Sequence, residues 1–496
     1  MQVWYKKNDN CLKNPYITIT YYPMSKYPYR QDREELKELL QQFANLKDGK
    51  SHSFIEEDGF ERIIDYFDEK EQFPQALEAV RFAVEQYPYS GSLLIRKADL
   101  LISLRNYQEA LYVLEQAELF DSTDTSLYIL KTDAYLALDM QEKAASILEA
   151  AINNFEGDEK LDLLFELADV YDDYENFEKV FDCLKIILEL DPSNEEALYK
   201  ICFWTDFTGR NEESIKLHQQ IIEEYPFNEL AWFNLGAAYQ GLKLYEKGID
   251  AYQYAVAIDE KFDFAYRNMG DAYIKLRKFR EAIEVLEKVL ELAMPEAVIY
   301  EAIGHCYDKL ENYAQARFNY KKASHLNPED SQMHYKIACT YMNEGNWNQA
   351  IKVLEVALKT HRMQPDFNLA MGRCYMELDN IDEAITYFGN VVRVRPKNTL
   401  GWVELLKCLY KGELFEEGLE YSSFALEQMD SKPIFIFYKS IFLFASGKVK
   451  EALIYLENGM AINPRLIKQF IEINPAILQH QQVVEIIAKY KKKKTR

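Results

Sequence analysis

His305 and Cys306, followed by Cys339, Cys374 and Cys408, are the residues of this sequence whose types invite metal chemistry, because imidazole and thiolate are the usual zinc ligands. Their spacing argues otherwise. Cys306, Cys374 and Cys408 are separated by multiples of 34 residues, so they occupy one equivalent place in successive repeats. Stacked helical repeats lie about 10 Å apart, too far for one ion to join such a column. A thiol at that place serves as a small buried hydrophobe. His305 and Cys339, which share the neighbouring place in adjacent repeats, remain as residual candidates. The acid pair Asp172 and Asp173 has the side chains for acid–base work, but neighbours along a helix diverge around its axis and no nucleophile accompanies them. No Gly-rich phosphate loop, Walker sequence or serine elbow occurs. The sequence therefore predicts no catalytic residue, no metal and no cofactor.

The period that explains the thiols runs through the chain. Pro88, Pro192, Pro226, Pro328, Pro396 and Pro464 are spaced by multiples of 34 apart from one two-residue insertion near Gly157. Twelve residues before that place stands a small residue: Ala76, Ala110, Ala144, Ser214, Gly248, Ala282, Ala316, Ala350, Ala384, Gly418 and Ala452, with Val180 as the exception. An aromatic or large apolar residue precedes that column, as in Tyr135, Tyr239, Tyr307 and Tyr375, broken at Thr205. A second small column follows it by seven residues, including Ala83, Ala117, Ala151, Ala255, Ala323 and Ala357. Small residues two turns apart lie on one helix face and let a neighbouring backbone approach. Each repeat is thus an antiparallel helix pair whose second helix ends near Pro. One pair cannot bury both its faces, so the pairs must stack.

Composition agrees with a continuous folded array. The chain of 496 residues is 48% hydrophobic and 28% charged, with only 18 Gly and 14 Pro. Its formal charge of −23 argues against nucleic acid, whose binding rests on Lys and Arg neutralising phosphates. No apolar run is long enough to span a bilayer and no signal-like core opens the sequence, which predicts a cytoplasmic protein without membrane insertion. Seven widely spaced cysteines fit reduced thiols better than a disulfide framework.

Trp232, Leu235, Gly236, Tyr239, Gly248, Tyr252 and Ala255, and then Tyr300, Gly304, Tyr307, Ala316, Tyr320, Ala323 and Pro328, stand at the spacing of the tetratricopeptide repeat signature. The chain resembles the tetratricopeptide repeat family, and most of all its long bacterial members that carry no other domain. The resemblance implies an all-α fold, a right-handed superhelical α-solenoid of about twelve helix-turn-helix repeats over residues 57–466. Ile64 and Leu406 depart from the signature at a normally small position, and Cys202, Thr205 and His218 weaken the fifth repeat. Residues 32–56 read as an N-terminal capping helix opened by an Asp32–Glu35 capping box, and residues 467–496 as C-terminal capping helices with a basic tail. Residues 1–31 are aromatic, basic and without periodicity, and Met24 is a candidate natural start.

The resemblance further implies a concave surface lined by the first helix of every repeat, presenting its second, fifth, ninth, twelfth and thirteenth positions to an extended protein segment. In repeats one to five those positions carry Asp58, Glu61, Asp65, Asp68, Glu69, Asp99 and Asp133, then Asp162, Asp169, Asp172, Asp173, Glu196 and Asp206, with no Lys or Arg. Phe165, Tyr199, Phe203, Phe207 and Phe233 add aromatic anchors. Later repeats supply Arg267, Lys275, Lys309, Arg373, Lys407 and Lys411. A concavity of one charge sign concentrates the opposite charge, so basic protein or peptide segments are the expected partners. The plainer reading is that these acids are the solvated faces of an acidic protein. The pairing of Lys and Asn by which some relatives clamp a terminal carboxylate is absent. The expected function is a non-enzymatic scaffold or adaptor. The alternatives are a homo-oligomeric structural protein associating through its outer helices and, further off, a metal- or cofactor-dependent enzyme.

Overall fold

The computed structural model describes residues 30–49 and 54–492, with no side-chain account of 30–33, 491 and 492. Among the described residues there are 27 α-helices and no strand. Twelve consecutive helix pairs occupy Glu57–Ile462. The first helices open at Glu57, Gly91, Thr125, Glu195, Glu229, Asp263, Ala297, Ser331, Pro365, Thr399 and Pro433, the first residue of each repeat read from the sequence. Repeat four differs: its first helix starts early, at Gly157, and runs to Asp173, while the second helix of repeat three stops at Ala151. The two-residue insertion is absorbed as an added helical turn.

The chain divides into two compact bodies, one ending at Tyr225 and one beginning at Pro226. Within each, the second helix of a repeat packs on the first helix of the next. First helices also touch first helices in repeats two to four of the first body, and in repeats six to seven and nine to twelve of the second. They therefore form a shared face in each body.

A recurrent turn sets the hairpin. The fifteenth residue of every repeat has positive φ, and only Gly209, Gly345 and Gly447 are glycines; Glu71, Arg105, Asp139, Glu175, Lys243, Arg277, Glu311, Asp379 and Glu413 take φ between 55° and 64°. A non-glycine residue there costs about 1–2 kcal/mol. The compensation is a doubly bonded helix end: Asn312 N–H donates to Tyr307 O at 2.9 Å and Glu311 N–H to Asp308 O at 3.0 Å. These bonds satisfy carbonyls that the helix leaves open. Equivalent pairs recur elsewhere, as at Asn346–Tyr341 with Gly345–Met342.

The joint between repeats is also bonded. Ser90, Asp124, Asn194, Asn228, Asp330 and Asn398, each the last residue of a repeat, accept a backbone N–H of the following helix. Trp232 and Trp402 donate their indole N–H to Pro226 O and Pro396 O, at 2.9 and 2.7 Å. Tyr128 and Asn368 bond equivalent carbonyls, Ser122 O and Arg362 O. The signature aromatic thus locks the turn before it.

Where the two helices of a repeat cross, its eighth and twenty-fourth residues share one volume. A Cβ on Gly236, Gly304 or Gly372 would stand 2.6–2.7 Å from the ring of Tyr252, Tyr320 or Phe388, and on Gly270 equally near Leu286. Leu406, a departure from the signature, and Ser422 hold the eighth and twenty-fourth positions of repeat eleven, and both are fully buried. The bulk has changed sides. In repeat five Cys202 pairs with His218, which is fully buried and donates from Nδ1 to Ser214 O at 2.7 Å. Burial drives that imidazole down to about 4.

Caps close both ends. The N-terminal helix is Arg30–Lys47, shorter at its C-terminal end than the span read from the sequence, and lays Phe43 against Phe67 and Phe82. The helix opens two residues before Asp32, so Asp32 lies inside it rather than at its N-cap, and the segment before Arg30, including Met24, lies outside the described residues. The largely apolar helix Pro433–Ala445 is covered by Ile467–Ile473 and the residues after it through Phe470, Ile477, Val483 and Ile487. Lys493–Arg496 also lie outside the described residues.

Two outcomes follow from the crossing. Gly372→Ala destabilises the protein by about 1–3 kcal/mol through overpacking, and adding Phe388→Leu costs less than the sum of the two single changes in a denaturation cycle. His218 stays neutral in the fold, so its contribution to stability is complete above pH 6.5 and declines as pH falls toward the folded value of about 4. Unfolding free energies from urea titrations at pH 6.5 and 5 should differ by about 1.5 kcal/mol more in the wild type than in His218→Leu.

Candidate binding face

The first helices of repeats one to five place the acidic positions on one face because a residue and its third or fourth neighbour share a helix side. Asp58, Glu61, Asp65, Glu69, Asp133, Asp162, Asp169, Asp172, Asp173, Glu196 and Asp206 are exposed, while Asp68 and Asp99 are half-buried. The ninth position is Asp in four successive repeats, at Asp65, Asp99, Asp133 and Asp169. Burial, with Asp99 close by, holds the Asp133 carboxyl above its ordinary range. Burial followed by the charges of Asp133 and Asp169 does the same to Glu166, and burial with Asp169 and Asp173 to Asp172. The face carries repelling charge.

The structure also places cations that the position rule overlooked. Arg96, from the sixth position of repeat two, reaches Asp65 at 2.9 Å, Asp68 at 2.6 Å and Asp99 at 3.1 Å. Lys200, from the sixth position of repeat five, bonds Glu196 at 2.8 Å and Asp169 at 3.6 Å and stands 5.1 Å over the Phe165 ring. The acids of repeats one and two are thus partly neutralised from within. Around Asp133, Glu166, Asp172, Asp173 and Asp206 no lysine or arginine comes within ion-pair distance among the described side chains. The sixth position lies one turn from the second and ninth, which was the available signal.

The aromatic residues divide likewise. Tyr199, Phe203 and Phe207 are exposed on the helix Glu195–Thr208, and Phe203 and Phe207 adjoin the rings of Phe177 and Trp204. Phe165 is half-buried beneath Lys200. Phe233, in the second body, packs on Tyr252 and Phe262 rather than standing out as an anchor.

In the second body Arg267 is engaged with Asp263 and Glu296, Arg373 with Glu404, and Lys411 with Asp379. Lys275 lies 3.9 Å from Asp271, and Lys309 and Lys407 are exposed. Cys306, Cys374 and Cys408 are fully buried, and burial pushes the thiols up to about 12, 12 and 11. His305 packs edge-on to Phe279, and burial lowers its basicity. No group of three or more potential metal ligands is gathered among the described residues, so His305 and Cys339 have no third partner there. Among those residues, too, no helix is long and apolar enough to cross a membrane.

The arrangement holds the chain's own Lys200 by charge and by a ring face. The Arg96 site supplies a check: removing its charge by Arg96→Gln should raise the Asp99 carboxyl further, since that guanidinium is what opposes the effect of burial. Side-chain carboxyl titration by NMR reads the change. An unmoved Asp99 would mean that the pair is absent in solution.

Family models match three stretches of the chain. Residues 235–369 match the C-terminal ARM domain of tetratricopeptide repeat protein 21, and residues 344–402 and 62–124 match tetratricopeptide repeat models. No curated protein sequence matches the chain. Among solved structures, YrrB, described as a TPR protein with an unusual peptide-binding site, is 21% identical over 37% of this chain and 95% of its own, with a TM-score of 0.33. The APC/C hetero-tetramer Cut9–Hcn1 is 13% identical over 85% of this chain and 94% of its own, with a TM-score of 0.34. The C-terminal part of a TPR repeat-containing protein from Cytophaga hutchinsonii is 14% identical over 51% and 99%, with a TM-score of 0.42.

Proposed function

The chain is a tetratricopeptide repeat protein, and on that premise we propose that it is a non-enzymatic cytoplasmic scaffold holding an extended, basic protein segment on the first-helix face of repeats one to five. Repeats of this family generally mediate protein–protein interaction. The observation that carries the finer reading is the contact made by Lys200, an ammonium set between two carboxylates and over a phenyl ring. It is a worked example, within the chain, of how this face receives a lysine. The acids beyond it offer the same chemistry without an internal cation.

Charge on this face attracts and orients the partner, whereas Tyr199, Phe203 and Phe207 supply area that excludes water. Rings stacked against lysine stems add cation–π attraction of about 0.5–1 kcal/mol at exposed sites. Binding of this kind weakens with salt, because exposed charges are screened over about 8–10 Å at physiological ionic strength.

The test is calorimetric titration of a peptide alternating Lys and Tyr into wild type and into a variant carrying Asp133→Asn, Asp172→Asn, Asp173→Asn and Asp206→Asn. Circular dichroism establishes that the variant is folded. The expected result is binding that weakens with added salt and is at least about tenfold weaker in the variant, each lost charge contact contributing a few tenths to 1 kcal/mol. Equal affinities would assign these acids to solvation alone.

A further inference from the structure

Residues 1–29 have a composition unlike the rest of the chain. They contain Lys6, Lys7, Lys13 and Lys26 against a single acid, Asp9, and seven aromatic residues, Trp4, Tyr5, Tyr16, Tyr21, Tyr22, Tyr27 and Tyr29. The remaining sequence carries the whole of the net charge of −23 and more. Basic residues interleaved with rings are the chemistry that the face of repeats one to five receives at Lys200 and Phe165.

We propose that residues 1–29 are an intramolecular occupant of this face, laid across Asp133, Asp172 and Asp173 toward Tyr199, Phe203 and Phe207, where they compete with a partner segment. The inference rests on the face being a site for basic segments and on translation from Met1 rather than Met24, and it adds regulation of that site by the chain itself.

Reach and tethering both favour the contact. Extended backbone covers about 3.3 Å per residue, so twenty-nine residues reach roughly 95 Å. Helical repeats stacked about 10 Å apart place repeat five only some 40–50 Å from repeat one. The segment runs directly into the helix Arg30–Lys47, which packs on repeat one, so its tether is anchored to the same body as the face. Covalent attachment to the same body keeps the segment near the face at an effective concentration of about millimolar, so even weak binding in trans becomes substantial occupancy in cis. The other basic stretch, Lys489 to Arg496, has a single aromatic residue, Tyr490, and belongs to the second body.

Zero-length carbodiimide coupling of the full chain, followed by peptide mass spectrometry of the monomer fraction, is the direct test. Amide cross-links from Lys6, Lys7, Lys13 or Lys26 to Asp133, Asp172 or Asp173 are expected. Their absence, or cross-links to those acids from Lys491 to Lys494 instead, overturns the proposal. A full-length variant with Lys6, Lys7, Lys13 and Lys26 changed to Ala should bind the Lys–Tyr peptide about fivefold or more tighter than wild type, as expected on release from a tethered competitor. Equal affinity in the two chains refutes the competition while leaving the face as a binding site. No binding by either chain refutes the binding site, and this proposal with it.

Discussion

Everything in this molecule depends on how closely two helices can approach within one repeat. At the crossings of repeats six, seven, eight and ten the eighth and twenty-fourth residues share a volume with room for one large side chain. Glycine opposite Tyr252, Tyr320 or Phe388 is one solution, and repeat eleven, with Leu406 and Ser422 at the two positions, reverses it. Close packing makes the sum of the two volumes the conserved quantity within the fold, rather than either identity. Repeat five strains the rule with Cys202 and His218, and the imidazole fills the space only by remaining neutral.

The same approach dictates the turn. To bring the second helix back against the first, the chain turns through a left-handed residue at the fifteenth position, even where a charged residue must adopt it. The doubly bonded helix end offsets that cost, and the Ser, Asp or Asn at the end of many repeats caps the helix that follows. With many helix ends satisfied locally, the repeats stack by side-chain packing supplemented by polar links such as Arg96 to Asp65 and Gln240 to Asp271. The first helices then come to one side and present their polar positions together.

That face behaves as a charged surface with its own partial counterions. Arg96 and Lys200 gather some acids of their neighbours, which leaves Asp58, Glu61 and Glu69 of repeat one, and Asp133, Asp162, Asp172, Asp173 and Asp206 further along, without an ion pair among the described side chains. Ion pairs on an exposed face contribute little to stability. Their effect is to pattern the charge of the face, pairing some of its acids and leaving others open. Aromatic residues of repeat five belong to the same body.

The sequence by itself determined the repeat, its length, the helix pairing and the place of the insertion, because small, aromatic and Pro columns recur wherever a crossing or a helix end recurs. It also determined that Cys306, Cys374 and Cys408 are core residues, since their column is buried in all repeats but the first and fifth, where Tyr66 and Trp204 are half-buried. Only the tertiary structure decided which acids keep their charge uncompensated. The cations that meet them, Arg96 and Lys200, come from a position one turn away in the following repeat or on the same helix, and such pairings depend on side-chain reach across a stack rather than on spacing along it. The reversal of bulk between Leu406 and Ser422 was equally hidden, because those two positions come to share a volume only when a hairpin closes.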